Sequence, residues 1–221
     1  MSRRRWLLLA GCLGLSACAG KPNAPVNAGF LHDYDALGER RAASGQTVRG
    51  WVAADLKPGS YHKVYLEPTW FNPALAPSER IPLSTLINIG GYYDAALRRE
   101  LGKVMTVVDS PGPDTLVVKP AITRVATHTQ GLRFYEWLPV TLVAAGVSSA
   151  VGIRDQDSEI ATEVSFEAGT SGRVVAELQR TGTGTPLEND RQVLTAHEVK
   201  AVLDGWADDL RQDCMGAGNE M

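Results

Sequence analysis

Polar and apolar positions alternate with a period of two from Asp157 to Ala168. Ile160, Thr162, Val164 and Phe166 fall on one side, and Glu159, Ala161, Glu163, Ser165 and Glu167 on the other. That pattern predicts a strand with one face in a core and the acidic face wetted. Gly169-Thr170-Ser171-Gly172 supplies turn residues, and Arg173 to Gln179 is expected to pair back as a hairpin. Earlier in the chain, His62 to Trp70 reads as a strand that Pro68 ends or places near an edge. Val104 to Asp109 reads as a second strand and Thr115 to Ala126 as a longer third. The period changes to 3.6 in two segments. From about Leu83 to Leu101, Leu86, Tyr93, Leu97 and Leu101 share a helix face, with Ser84 as the candidate N-cap and Gly102 past the end. From about Thr195 to Arg211, Val199, Val202, Leu203, Trp206 and Leu210 do the same. Thr181 to Asn189 is expected to be a polar loop. The order of elements predicts an α+β fold: a mixed, mostly antiparallel sheet with two amphipathic helices packed on one face, plus an apolar insert.

The N-terminus follows another logic. Arg3, Arg4 and Arg5 precede an apolar run from Trp6 to Leu15 and then small residues, the layout of an export signal. A helix of about ten residues is roughly 15 Å long, half of a ~30 Å hydrocarbon core, so the run is too short to be a membrane anchor. Leu15-Ser16-Ala17-Cys18 resembles the lipobox of bacterial lipoproteins, in which the cysteine sulfur receives a diacylglyceryl group and the chain is cut just before it. Leu9-Ala10-Gly11-Cys12 matches the same pattern, but Trp6 to Leu8 is too short an apolar core to precede it. The alternative is an ordinary secreted protein cut near Ala17 or Ala19. Three acyl chains, as the lipobox resemblance implies, would anchor Cys18 permanently. Ala19 in place of Asp resembles the outer-membrane sorting signal of diderm bacteria. The expected organisation is a signal peptide over 1–17, a lipidated cysteine and flexible tether over 18–29, and one periplasmic α+β domain over 30–221.

Composition narrows the classes of function. The chain has 221 residues and a net charge of −3. Without the three leading arginines the charge falls to about −6, which argues against nucleic-acid binding through phosphate contacts. Lipidation would leave Cys214 as the folded part's thiol, with no internal disulfide partner.

Candidate chemistry is thin. His32, His62, His128 and His197 are scattered singly, without metal-ligand spacing, and no cofactor motif is present. Gly146-Val147-Ser148-Ser149-Ala150 lacks the second glycine of a nucleophile elbow. Gly182-Thr183-Gly184-Thr185 lacks the Lys and the helix of a phosphate loop and reads as a flexible loop. One segment stands out. Arg133-Phe134-Tyr135-Glu136-Trp137 gathers three aromatics, followed by about sixteen nearly uncharged residues from Leu138 to Ile153, too few at ~1.5 Å each to span a bilayer. Trp137, Val140, Val143, Val147 and Val151 are the candidate contact residues. The segment is read as a buried cover for the sheet, a surface for an envelope protein or a second copy, or a dip into lipid.

Gly29-Phe30-Leu31-x-Asp33-Tyr34-x-x-Leu37, Tyr61-x-Lys63-Val64-x-x-Glu67-Pro68 and Pro111-Gly112-Pro113-Asp114-Thr115-Leu116, in that order and spacing, resemble the bacterial lipoprotein family catalogued as domain of unknown function 3313. The resemblance spans about residues 29 to 211. It implies a lipid-anchored, periplasm-facing protein and carries over no catalytic residues. The expected function is a non-catalytic accessory or protein-interaction lipoprotein of the outer membrane, bound to the bilayer through acylated Cys18. A lipid or small-ligand carrier is the alternative, and an envelope hydrolase a further one.

Overall fold

The computed structural model describes residues 27–56, 59–129, 156–189 and 191–216. Among the described residues eight strands form one sheet: β1 (Gly38–Arg41), β2 (Thr47–Val52), β3 (Lys63–Leu66), β4 (Trp70–Phe71), β5 (Thr106–Val107), β6 (Thr115–Thr129), β7 (Gln156–Ala168) and β8 (Val174–Thr183). Helix α1 (Leu83–Leu101) and helix α2 (Ala196–Gly216) complete the described fold. The spatial order is β1-β2-β8-β7-β6-β3-β5, with β4 also on β6. The pairs β1–β2, β2–β8, β8–β7 and β7–β6 are antiparallel, whereas β3, β4 and β5 join in parallel. The expected α+β class, with its mixed and mostly antiparallel sheet, is what the chain adopts.

Both helices lie on one face. Val64, Leu116, Val118, Ile122, Ile160, Val164, Phe166 and Leu178 meet Ile89, Tyr93, Leu97, Val199, Leu203 and Trp206 in a single core. The two helices are also tied to each other: the Tyr92 and Arg99 side chains both donate to Asp204, and the Lys200 ammonium sits 5.0 Å from the centre of the Tyr92 ring. Burial alone would raise the Asp204 pKa, but these two bonds outweigh it and hold the carboxyl below its ordinary range.

Strand β3 and strand β4 are one path along the same side of β6, interrupted where Pro68 has no N–H to give. Glu67 N donates to Val118 O before the break and Asn72 N to Ile122 O after it. Helix α1 begins two residues earlier than the candidate cap implied: Pro82 occupies the N-cap position and Ser84 is an exposed residue of the first turn. The carbonyl of Pro82 accepts from Thr85 N and Leu86 N, so the first turn closes without a side-chain cap.

The hairpin of β1 and β2 was not foreshadowed. All four residues of β1 are exposed. The turn between them works because Gly45 takes φ +81°, with Gly45 N donating to Ala42 O and Ala42 N to Gln46 O. The expected loop over 181–189 is also corrected. Strand β8 runs to Thr183, Gly184 N and Thr185 N donate to Ser158 O and Glu198 O, and Leu187 is fully buried beside Gln156. Gly182 and Gly184 are there for closeness: a Cβ on Gly182 would strike Val202 and Trp206, and one on Gly184 would overlap the Glu198 carbonyl.

Candidate functional site

The acidic face of β7 is not the wetted row that its alternation implied. Glu159 and Glu167 are partly covered, the first paired with Arg124 and the second with Lys119. Glu163 is 0% exposed. What covers it is the segment from Asn27 to Leu37, laid across the side of the sheet opposite the helices.

This segment is held almost entirely through its backbone amides. Ala28 N donates to Glu163 Oε1 at 3.3 Å. The Tyr34 hydroxyl accepts from the amides of Gly29, Phe30 and Leu31 at 2.7, 2.9 and 3.2 Å, and donates its own proton to Glu163 Oε2 at 2.7 Å. The amides of His32 and Asp33 donate to the two oxygens of Glu177, at 2.6 and 3.2 Å. Those of Asp35 and Ala36 donate to Asp33 Oδ1. The amides from 28 to 33 thus end on two buried carboxylates and one phenol, and those of 35 and 36 on a local turn. Leu31 and Leu37 are buried on either side of the run and pin it apolarly.

The sheet answers in kind. Gln179 Nε2 donates to Glu163 Oε1 at 2.8 Å, and Arg49 donates to Gln179 Oε1 and to the Tyr34 carbonyl. Asn72 Nδ2 donates to the Ala28 carbonyl from the other side. Burial, and then the bond to Glu163, push the Tyr34 pKa above its ordinary value, so the phenol stays protonated as the latch requires. Ala28 and Gly29, placed in the tether by their sequence, belong to this latch.

A second polar cluster lies on the helix side. Arg180 Nη1 donates to Asp209 Oδ2 at 2.9 Å, and both side chains are nearly fully buried. Asp209 also accepts from Ser44 N at 2.7 Å and from Ser44 Oγ at 3.0 Å, so helix α2 grips the β1–β2 turn. Asp213 stands 3.8 Å from Arg180 Nη2, and burial raises its pKa. Beside the cluster, Ser44, Gln46, Gly182, Thr183, Trp206 and Asp209 line a cleft of about 250 Å³. That is below the roughly 300–1,000 Å³ usual for a ligand site. Its one carboxylate, Asp209, is already committed to three bonds, so the cleft offers a shape and no free acid or base.

The residues singled out from the sequence fall into two groups. Cys18, Trp137, Val140, Val143, Val147, Val151 and Ser148 lie outside the described residues. The histidines are dispersed: His62 pairs with Asp114 at 3.0 Å, His128 lies 3.4 Å from Glu159, and His32 and His197 are exposed. Among the described residues no group of three or more His, Cys, Asp or Glu is placed to hold a metal ion. Burial pushes the Cys214 thiol up to about 11. The residues that sequence reasoning missed are Glu163, Glu177, Gln179 and Arg49, the receivers of the latch.

The sequence profile of a family described as a protein of unknown function, DUF3313, matches residues 27–210. The chain belongs to the DUF3313 family. The matched span opens at Asn27, where the latch begins, so the latch is part of the DUF3313 unit. The opening motif of the chain now has a physical content: Asp33 makes the turn, Tyr34 gathers three amides, and Leu31 and Leu37 anchor the ends. Similar to the chain is the uncharacterized lipoprotein YdcL of Escherichia coli, 32% identical over 202 residues, which cover 91% of each protein. Solved structures overlap more loosely. PelC from Paraburkholderia phytofirmans, solved as a dodecamer, covers 75% of this chain and 96% of its own at 11% identity and a TM-score of 0.41. Protein XCC0632 from Xanthomonas campestris covers 75% and 91% at 10% identity and a TM-score of 0.43. A minor lipoprotein from Acinetobacter baumannii covers 72% and 92% at 9% identity and a TM-score of 0.37.

Proposed function

We propose that this DUF3313 protein is an exported lipoprotein, acylated at Cys18, held at the outer membrane and facing the periplasm, where it acts as a non-catalytic accessory or protein-interaction module. The observation that carries the reading is the junction of two features. A lipobox-like Leu15-Ser16-Ala17-Cys18 stands about nine residues before Asn27, a length of chain able to reach about 28 Å at ~3.1 Å per residue. At Asn27 the chain enters a latch built to hold an incoming tether on the sheet. The Escherichia coli relative, itself named a lipoprotein, supports the lipid anchor. The non-catalytic part of the reading is supported by what the buried ionisable groups do: Glu163, Glu177, Asp209 and Arg180 are spent on holding segments of the fold together.

Intact mass of the mature protein from its host tests the anchor, with a diacylglyceryl group and an N-acyl chain on an N-terminal Cys18 as the expected result. A bare thiol, or a start at another residue, refutes it. Photocrosslinking in cells from Val143 or Val147 tests the module, with a protein adduct expected. Adducts to lipid alone refute the partner.

A further inference from the structure

Resting on the anchor at Cys18, we infer that the latch fixes the orientation of the domain: the sheet face carrying Tyr34 and Glu163 looks at the bilayer, and Trp70 on that face meets the lipid–water interface.

The argument begins with where the tether ends. Asn27 opens the latch, and Arg49 Nη1 lies 3.5 Å from its side-chain oxygen. Ala28 is clasped between Glu163 and Asn72. The chain therefore leaves the domain from the side of the sheet opposite the helices.

Length then decides what can touch the membrane. A globule of about 190 residues has a radius of gyration of about 16 Å, equivalent to a sphere of about 21 Å radius. To set the helix side against the bilayer, the tether must pass a quarter of the way round that sphere and then descend one radius, about 54 Å. The tether of about nine residues reaches about 28 Å, and about 32 Å fully extended. It cannot make that journey. Released as far as Leu37, the same tether has about nineteen residues and reaches about 59 Å, which suffices. The latch is what makes the difference.

The register of the sheet places Trp70 on the tethered side. Trp70 pairs with Ala121, Ala121 with Glu163, and Glu163 with Gln179. Residues opposite one another in register point to the same face, so Trp70 shares the face of Glu163 at two strand spacings, about 10 Å from the latch. Its neighbour Phe71, opposite Ile122, points the other way and packs on Gly90 of α1. Trp70 is 58% exposed on that face. Tyr65, on the same side of β3 by alternation, is half-buried. An indole at the tethered edge is the side chain best suited to a headgroup layer, with an apolar body and one N–H for water or lipid oxygen.

The test uses the full acylated chain in vesicles of phosphatidylethanolamine and phosphatidylglycerol, with brominated lipid as a short-range quencher of tryptophan emission. A Trp51→Phe, Trp137→Phe background, which removes the half-buried Trp51 that the register sets opposite Glu177 on the same face, leaves Trp70 and Trp206 as emitters after signal removal. Trp70→Phe is expected to remove at least half of the quenchable emission. Ile87→Trp, placed on the exposed outer side of α1 in the Trp70→Phe background, is expected to restore none of it. Adding Tyr34→Phe to that last variant, or Glu177→Gln if the first misfolds, is expected to make the Trp at 87 quenchable. Quenching that ignores Trp70→Phe, or that is equal from position 87, overturns the inference while the protein still floats with the vesicles. A protein that neither floats nor carries acyl mass at Cys18 overturns the anchor itself, and the orientation falls with it.

Discussion

Tyr34→Phe removes one oxygen and asks the latch to hold without it. The hydroxyl makes a bond of 2.7 Å to a carboxylate that is 0% exposed, and it receives three backbone amides. A bond to a buried charged acceptor contributes about 1.5–3 kcal/mol. Gly29 is exposed and Phe30 half-buried, so their amides regain water when the phenol is gone and only that of the buried Leu31 is poorly resolvated; the loss of the three adds about 1 kcal/mol in all rather than a full desolvation penalty each. Glu163 keeps Gln179 Nε2 and Ala28 N, which limits the damage on its side. The expected cost is about 3 kcal/mol.

Because the latch is terminal, that cost divides between two observables. If the segment unfolds with the rest, thermal denaturation falls by about 6–12 °C, at 2–4 °C per kcal/mol for a domain this size. If it peels away first, hydrogen exchange at the amides of Gly29, Phe30 and Leu31 accelerates by about a hundredfold while global stability moves less. A double-mutant cycle with Glu163→Gln should return a coupling of about 1–2 kcal/mol, since the two side chains share one bond. Exchange at those amides within threefold of the parent, together with an unchanged melting temperature, refutes the reading of Tyr34 as the keystone of the latch.

Two glycines should respond in opposite directions in urea denaturation. Gly91→Ala, on an exposed stretch of α1 with nothing within 4 Å of a Cβ, stabilises by about 1 kcal/mol, whereas Gly184→Ala drives a Cβ into the Glu198 carbonyl and costs about 1–3 kcal/mol or more. Asp209→Ala strands the Arg180 charge in the core and frees the β1–β2 turn; a loss of about 3–5 kcal/mol is expected, and Ser44 amide exchange should rise with it. Stability should also fall in alkali. Tyr34 has a folded pKa above its ordinary value of 10.0, so its contribution is complete below pH 10 and is lost as pH rises from 10 through the folded value. Tyr92 and Tyr93, both raised first by burial, act in the same direction. Unfolding free energies between pH 8 and 11.5 should slope downward in the parent and less steeply in Tyr34→Phe.

Periodicity revealed the elements whose side chains face a core. The alternation from Asp157 to Ala168 located β7 to within a residue, and the 3.6-residue pattern located α1 at both ends. The hairpin of β1 and β2 escaped for the same reason. Gly38-Glu39-Arg40-Arg41 has no apolar face to announce it, and it pairs through its backbone onto β2, which in turn extends β8. Helix α2 runs five residues past its expected end, because Gln212, Asp213, Cys214 and Met215 continue the helix after its apolar face has finished. The polar stretch after Thr181 looked like a loop, yet its glycines let it press against α2 and carry the ladder on to Thr183.

The harder lesson concerns the acidic side of β7. A row of Glu159, Glu163 and Glu167 at alternate positions says that one face of the strand is polar, and ordinarily a polar face is wet. Whether it stays wet depends on whether another part of the chain can satisfy it, and an uncapped run of backbone amides is as good a partner for a carboxylate as water or arginine. The segment from Ala28 to Ala36 is such a run. It has no regular ladder of its own, so its amides need acceptors, and Glu163 and Glu177 on adjacent strands need donors. Each explains the burial of the other, which is why neither could be recognised alone. The reciprocal need also bears on use. Apolar packing tolerates sliding, whereas amides aimed at particular carboxylate oxygens hold the segment at one register on the sheet. On the proposed anchor at Cys18, a tether entering there would deliver the domain to the membrane in one orientation and leave the outward faces of α1 and α2 for the periplasm to meet.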